Sequence, residues 1–182
     1  MSIVLRDAGI TIRPFEREDF DVLWREESRD RGDFETPWAA DDDTAKARVR
    51  ARVDRSGTWR DGRVLDLAIV VEGRVAGDIQ ARRDIAYAPP GIYDLGIGLF
   101  ADRRGRGVGT TAISLLTAFL FDEEEAVRVT LSTDLDNAAM RRVAEKAGFT
   151  QEGVMRGFWV VPDAPARDFA LYARTRADHE HG

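Results

Sequence analysis

Residues Arg104-Gly105-Arg106-Gly107-Val108-Gly109-Thr110 place three glycines at alternate positions, directly before a stretch with the apolar spacing of a helix. The chemistry this pattern suits is anion binding. Glycine has no Cβ to keep successive backbone N–H groups from converging on one point, and a helix start adds unpaired donors and a positive partial charge. Each dipole contribution is only about 0.3–1 kcal/mol, so several amides must act together, helped by the cationic Arg104 and Arg106. A diphosphate has the charge and the acceptor atoms to use them all. The non-binding alternative is a glycine-rich turn bearing exposed arginines.

Two other phosphate motifs fail on spacing. A nucleotide-binding P-loop requires lysine and then Ser or Thr after its last glycine, and Val108-Gly109-Thr110 has no lysine. A dinucleotide fingerprint requires G-x-G-x-x-G. Counted from Gly105, its third glycine falls on Thr110, and five residues separate Leu99 from Gly105. A Rossmann-like nucleotide binder is therefore disfavoured.

The 182 residues carry a net charge of −6 and are 43 % hydrophobic. That fits one domain with its own core and speaks against nucleic acid as a partner, because such affinity rests on a basic face that neutralises phosphates. With no cysteine in the chain, disulfides, thiolate metal sites and a cysteinyl intermediate are excluded, and no metal is expected. His179 and His181 lie in a polar tail that reads as frayed, which removes the commonest general base. No apolar run approaches the roughly 18 residues of a membrane helix, and Met1 to Asp7 meets charge too early for a secretory signal. No membrane partner and a cytoplasmic location are expected.

The elements that must position the glycine loop follow from periodicity. Ile10–Arg13 reads as a strand, followed by Pro14 and an acid-rich helical stretch with Phe20, Leu23 and Trp24 apolar. A loop with Gly32, Pro37 and Trp38 leads to Asp41-Asp42-Asp43-Thr44, a helix start, and to a short charged helix ending at Val53. Val64–Val71 and residues 74–80 form a β-hairpin about Glu72-Gly73. After Pro89-Pro90-Gly91, the strand Ile92–Leu99 puts Tyr93, Leu95, Ile97 and Leu99 on one face and Asp94, Gly96 and Gly98 on the other. Alternate glycines in a strand imply a bulge or a surface that something approaches closely. An amphipathic helix runs from Gly107 to near Asp122. Then come a strand over 127–133, a helix capped by Asp136 or Asn137 and stopped at Gly148, and strands over 157–161 and 168–174 about a Pro162/Pro165 loop. This order predicts a mixed α/β (α+β) fold with one mostly antiparallel sheet and helices on both faces. It is read as a single domain over residues 1–182, with its core within 10–174 and short polar tails.

The pattern R-x-x-G-x-G between strand and helix resembles the acyl-CoA loop of the GNAT superfamily of N-acetyltransferases. The resemblance covers most of the chain. Val70-Val71-Glu72-Gly73-Arg74-Val75-Ala76-Gly77 looks like the family's central hairpin, and residues 99–110 look like its acyl-CoA loop. Residues 137–149, ending Glu145-Lys146-Ala147-Gly148-Phe149, look like its following helix and turn. Gly148-Phe149-Thr150-Gln151-Glu152-Gly153, with Arg156 and Asp168, is similar to the Rim-type subgroup, which includes ribosomal-protein N-terminal acetyltransferases. The resemblance implies a GNAT-like sheet splayed at the acyl-CoA site, with acetyl-CoA as co-substrate. The backbone of Ile97 and Leu99 would pair with the pantetheine arm, and the amides of Arg104, Gly105, Arg106, Gly107, Val108, Gly109 and Thr110 would hold the pyrophosphate. Asn137 would lie near the pantetheine. The implied activity moves an acetyl group to a primary amine, either a protein N-terminus or a small-molecule amine.

Acyl transfer needs a neutral amine, an oxyanion donor and a proton for the departing thiolate. A lysine-like amine with a pKa of roughly 10.4 is about one part in a thousand neutral at pH 7, so a base helps. Asp94, on the strand face opposite Leu95 and Ile97, is the candidate base and matches a position where the family often carries an acid; a solvated edge aspartate is the alternative. Strand amides freed by a bulge around Gly96 to Leu99 are candidate oxyanion donors. The family's usual acids are absent, because Met140 and Ala144 stand at their positions. Tyr172 is the candidate acid, with Tyr93 as a substitute, core packing as the alternative for both, and solvent as a further proton source. With no cysteine to carry the acetyl group, direct attack in a ternary complex is expected.

Acidic residues outnumber basic ones between Glu16 and Asp43, and Trp24, Phe34, Trp38 and Trp59 lie in or near that region. Such a wall suits a cationic amine as the acceptor partner, with a solvated helix face over core tryptophans as the alternative. A homodimer is left open. The competing function is a catalytically weak acyl-CoA-binding sensor, prompted by Met140 and Ala144.

Overall fold

The computed structural model describes all residues except 1–2, 30–41, 61, 84–87, 162 and 182. The chain opens with a hairpin, β1 (Leu5–Asp7) and β2 (Ile10–Arg13), followed by α1 (Asp19–Arg29) and α2 (Asp42–Asp54). A two-residue strand, β3 (Trp59–Arg60), precedes the antiparallel run β4 (Val64–Val71), β5 (Arg74–Arg82) and β6 (Ile92–Leu99). Then follow α3 (Val108–Asp122), β7 (Arg128–Asp134), α4 (Ala138–Lys146), β8 (Thr150–Trp159), β9 (Arg167–Thr175) and α5 (Arg176–His181). The nine strands among the described residues share one sheet in the order β1-β2-β4-β5-β6-β7-β9-β8, with β3 paired to β4 off that path.

Two cores flank the sheet. Leu65, Leu67 and Ile69 of β4 point to one face, where Ile113, Leu116 and Leu120 of α3 and Ala144 of α4 complete the larger cluster. Ala68 and Val70 point to the other face, against Phe20 and Leu23 of α1 and Val49 and Val53 of α2. The uninterrupted apolar run of β4 thus reflects burial on both faces. Arg13 grips Asp19 through two hydrogen bonds, at 2.7 and 3.2 Å, which ties the start of α1 to the end of β2.

The hairpin about Glu72-Gly73 is a tight turn with positive φ at both residues, +50° and +74°, the geometry that matches the strand twist. Between β6 and β7 the chain crosses over through α3, as a parallel pair requires.

Three expectations change. β8 begins at Thr150, not at 157. Its first half carries little apolar alternation because it is an exposed edge strand, and its place is set by pairing with β9. The histidine tail is α5 rather than frayed: the His179 ring stacks on Phe121 with centroids 4.8 Å apart and its Nε2 lies 3.0 Å from Asp122. β1 and β3 were not foreseen, being too short to show a period. Gly32, Phe34, Pro37, Trp38, Asp41 and Pro162 lie outside the described residues.

Gly77 is where β5 and β6 press closest. A Cβ there would sit 2.0 Å from Gly98 O and 2.9 Å from Leu99 Cα, both backbone atoms that cannot step aside. Gly77→Ala is expected to destabilise the fold by about 3 kcal/mol, the upper end of overpacking costs, read from the midpoint shift in urea denaturation.

Candidate functional site

β6 has two unlike neighbours. It pairs antiparallel with β5 from Asp94↔Arg82 to Leu99↔Gly77. Its parallel pairing with β7 runs from Ile92↔Arg128 only to Leu95↔Leu131, although β7 continues to Asp134 against β9. Beyond Leu95 the two halves of the sheet separate. The Phe100 N–H donates to Ala76 O at 2.9 Å, and antiparallel pairs alternate. Gly98 and Gly96 therefore bond to β5, and the backbone groups of Ile97 and Leu99 point into the opening. One of these is taken, since Arg104 Nε donates to Leu99 O at 2.9 Å. The remainder is an unpaired strand edge that an extended amide chain fits.

The glycine loop lies at the open end of this gap. After a single 3₁₀ turn, Ala101–Arg103, the chain enters α3 through Gly105 (φ +72°) and Gly107 (φ +81°). Both are left-handed, a conformation that disfavours any side chain. Gly107 is the N-cap of α3, and no side chain caps it. The first helical bond is Thr111 N–H to Gly107 O at 3.1 Å. The amides of Val108, Gly109 and Thr110 lie ahead of it, in the turn a helix cannot satisfy from within, with its positive end facing out. A Cβ at Gly109 would touch Leu99 at 3.5 Å and Val143 of α4 at 3.7 Å, so both helices close behind the gap. The pieces an extended diphosphate ester needs, a strand edge leading to a helix N-terminus, are contiguous here.

Asn137 stands across the gap as the N-cap of α4, its Oδ1 accepting from Met140 N–H at 3.0 Å. Met140 and Val143 pack against the main core, and Ala144 is fully buried.

Asp94 lies at the closed end, paired with Thr130 in the parallel ladder. Its Oδ2 accepts from Arg82 at 2.6 and 3.1 Å, and its Oδ1 accepts from the Thr130 hydroxyl at 3.1 Å. The sequence showed Asp94 but not these partners, which come from neighbouring strands. Tyr172 is 0 % exposed, with its hydroxyl 3.3 Å from Arg141 Nε, 3.3 Å from Gln151 and 3.5 Å from Glu145. That bond holds the Arg141 guanidinium above its usual pKa. The hydroxyl is held between β9, α4 and β8 by these three contacts. Tyr93 is likewise buried and donates to Glu124 O at 3.0 Å; burial pushes its pKa up.

The aromatic wall does not form as one patch among the described residues. Trp59 packs on Tyr93 and donates to Glu124, at the closed end of β6, while Trp24 lies against the smaller core. On the sheet face towards α1 and α2, acids sit beside arginines: Asp78 with Arg52 at 3.7 Å, Asp94 with Arg82, and Asp134 with Arg167 at 2.5 Å. What approaches the alternate glycines is now visible. Asp78 Oδ1 lies 3.0 Å from where a Gly98 Cβ would be, and Gln80 Nε2 lies 2.9 Å from that of Gly96. The glycines marked the close approach; only the β5–β6 register supplies the residues that make it.

Among the described residues, no group of three or more His, Asp or Glu is placed to hold a metal ion, and no helix is long and apolar enough to cross a membrane.

A mixed sheet splayed at one parallel junction, with an uncapped glycine-led helix at its mouth, is the architecture of an acetyltransferase. Residues 10–150 match the acetyltransferase (GNAT) domain family, and the chain belongs to that family. A kanamycin resistance protein of Rhizobium radiobacter is 30% identical over 94 residues, 49% of this chain and 83% of that protein. Among solved structures, Mycobacterium smegmatis RimJ in complex with CoA-disulfide superposes with a TM-score of 0.74 at 22% identity, covering 96% of this chain and 86% of that one. The microcin self-immunity acetyltransferase MccE, solved with acetyl-CoA and AMP, gives 0.76 at 18% identity and 93% of each chain. RimJ, a Rim-type protein, is thus among the solved structures that share this fold.

Tyr172→Phe tests the placement of that hydroxyl. Removing the partner shared by Arg141, Gln151 and Glu145 is expected to lower the midpoint of chemical denaturation, with coenzyme A affinity unchanged.

Proposed function

We propose that this chain transfers an acetyl group from acetyl-CoA to a primary amine by direct attack in a ternary complex. The observation that carries the reading is the halt of β6–β7 pairing at Leu95↔Leu131, directly below the uncapped start of α3. Ile97 and the Leu99 N–H offer the edge along which the pantetheine amides would align. The amides of residues 105–110, with Arg106, face the pyrophosphate, and Arg104 braces the loop through Leu99 O. Acetyl-CoA supplies the activated thioester; the chain contributes alignment, amide donors for the developing oxyanion and exclusion of water by α3 and α4.

No side-chain acid is assigned to the thiolate. Met140 and Ala144 cannot donate, and the Tyr172 and Tyr93 hydroxyls are buried and engaged, so solvent protonates the sulfur. The same feature supports the second reading, an acyl-CoA-binding sensor with weak turnover. As to the acceptor, a kanamycin resistance protein and RimJ among the similar proteins support amines of different size, without choosing between a small molecule and a protein N-terminus.

Calorimetry and thiol release separate these readings. Coenzyme A is expected to bind and NAD not to, and thiol is expected to be released with at least one of kanamycin, spermidine and an alanyl peptide. Intersecting reciprocal plots are expected, since parallel plots indicate a covalent acetyl-enzyme in place of direct attack. Binding without turnover favours the sensor. Gly107→Ala, which forces a side chain into φ +81°, is expected to weaken coenzyme A binding about tenfold, or about 1.4 kcal/mol.

A further inference from the structure

Alternate glycines on β6 leave room on the sheet face away from α3, and that room is filled from β5. Asp78 and Gln80 lie across Gly98 and Gly96. Any Cβ at these two positions would press on the polar ends of Asp78 and Gln80 and lift them off the strand. The consequence is directional. With nothing beneath them, the Asp78 carboxylate and the Gln80 amide extend over β6 towards the edge where Ile97 and Leu99 face the gap.

Of the carboxylates that β5, β6 and β7 carry on this face, Asp78 is the one level with the open part of the gap; Asp66, one strand further out on β4, is buried. Asp94 sits beside the last paired rungs, with both oxygens held by Arg82 and Thr130. Asp134 is buried at the end of β7, with Oδ1 accepting from Asp136 N–H and Arg167 close to Oδ2. Asp78 meets Arg52 only at 3.7 Å, through Oδ2, while Oδ1 is the atom lying over Gly98. Its side chain remains 17% exposed. A partly exposed carboxylate oxygen beside the gap, on the face opposite α3 and α4 and next to α2, is a site for a cation arriving at the thioester from that side.

We infer that Asp78 is the ammonium-binding residue of the acceptor site: a primary alkylammonium group docks on Asp78 Oδ1 above Gly98, with the Gln80 side chain as a second polar contact. This rests on the acetyl-transfer reading and adds the chemical class of acceptor, a primary amine that is cationic when it binds. Asp78 acts by placing the nitrogen over the strand edge; the ammonium proton leaves to solvent before attack. The sequence offered Asp94 as the base, from its strand face and its match to an acidic position of the family, whereas Asp78 joins the glycines only through the strand pairing.

The test compares amines that arrive charged with one that does not. Initial rates of thiol release from acetyl-CoA are measured for the unaltered chain, Asp78→Asn and Gly98→Ala, with kanamycin, spermidine and an alanyl peptide, and with hydroxylamine, which is uncharged at mildly alkaline pH. Asp78→Asn is expected to raise KM for the cationic amine that is turned over by about tenfold or more, the size of a lost charge-assisted hydrogen bond, with kcat little changed. Rates with hydroxylamine and the affinity for coenzyme A should hold. Gly98→Ala, which pushes on Oδ1, should raise the same KM by a smaller factor, so the site stays testable if Asp78→Asn folds poorly. An unchanged KM in both variants, or equal losses with hydroxylamine, overturns the assignment. Turnover of hydroxylamine but of no cationic amine by the unaltered chain also overturns it, while leaving acetyl transfer standing. Coenzyme A binding with no turnover of any amine removes the transfer reading itself, and this site with it.

Discussion

The two halves of this sheet are joined by four parallel rungs between β6 and β7, and the rest of the molecule is arranged around that short seam. A parallel pair demands a crossover, which is α3, and the crossover must start at the open end of the strand it leaves. The unpaired edge of β6 and the unsatisfied amides of a helix N-terminus are therefore neighbours by topology. Neither feature is costly to the fold while it faces water, and in the proposed function both serve a ligand that brings an extended amide chain and a diphosphate. The site is thus a consequence of where pairing stops.

The seam also sorts the polar residues. Below it, Thr130 and Arg82 fasten Asp94 across three strands, and Trp59, Tyr93, Arg83 and Glu124 form a packed cluster at the far end of β6. Above it, glycines replace side chains and polar groups from β5 reach across. Surface ion pairs such as Arg82 with Asp94 add little stability on their own, yet pairing each acid with an arginine keeps this face from acting as a uniform negative field. In the proposed acceptor site, selectivity for a cation rests on local geometry at Asp78 rather than on bulk charge, in keeping with a net charge of −6.

Much of this was legible in the residues. The hairpin at Glu72-Gly73, the helix from Gly107 to Asp122 and the cap at Asn137 each carry a local signal, a turn dipeptide, a 3.6-residue period or a short side-chain acceptor, and the structure realises each. Gly105 and Gly107 prove to be left-handed, a local requirement of the turn into α3 that glycine suits. Features set by tertiary pairing were not legible. The first half of β8 has no apolar period because it is an edge, and α5 is held by contacts with Phe121 and Asp122 that no local pattern encodes. Tyr172 carried a plausible hydroxyl in the sequence, but its burial under α4 depends on the β7–β9 register. The same holds for Asp78: the glycines announced a close approach, and only the alignment of β5 with β6 says what makes it.

The central claim is that the Ile97–Leu99 edge and the first turn of α3 form one continuous coenzyme site. Backbone amide chemical shifts of the isotope-labelled chain, followed during titration with coenzyme A, test it most directly. The account predicts that the largest changes fall on Ile97, Leu99 and residues 105–110 and saturate together with one affinity. Saturating changes centred elsewhere, or none at millimolar coenzyme A, would contradict it.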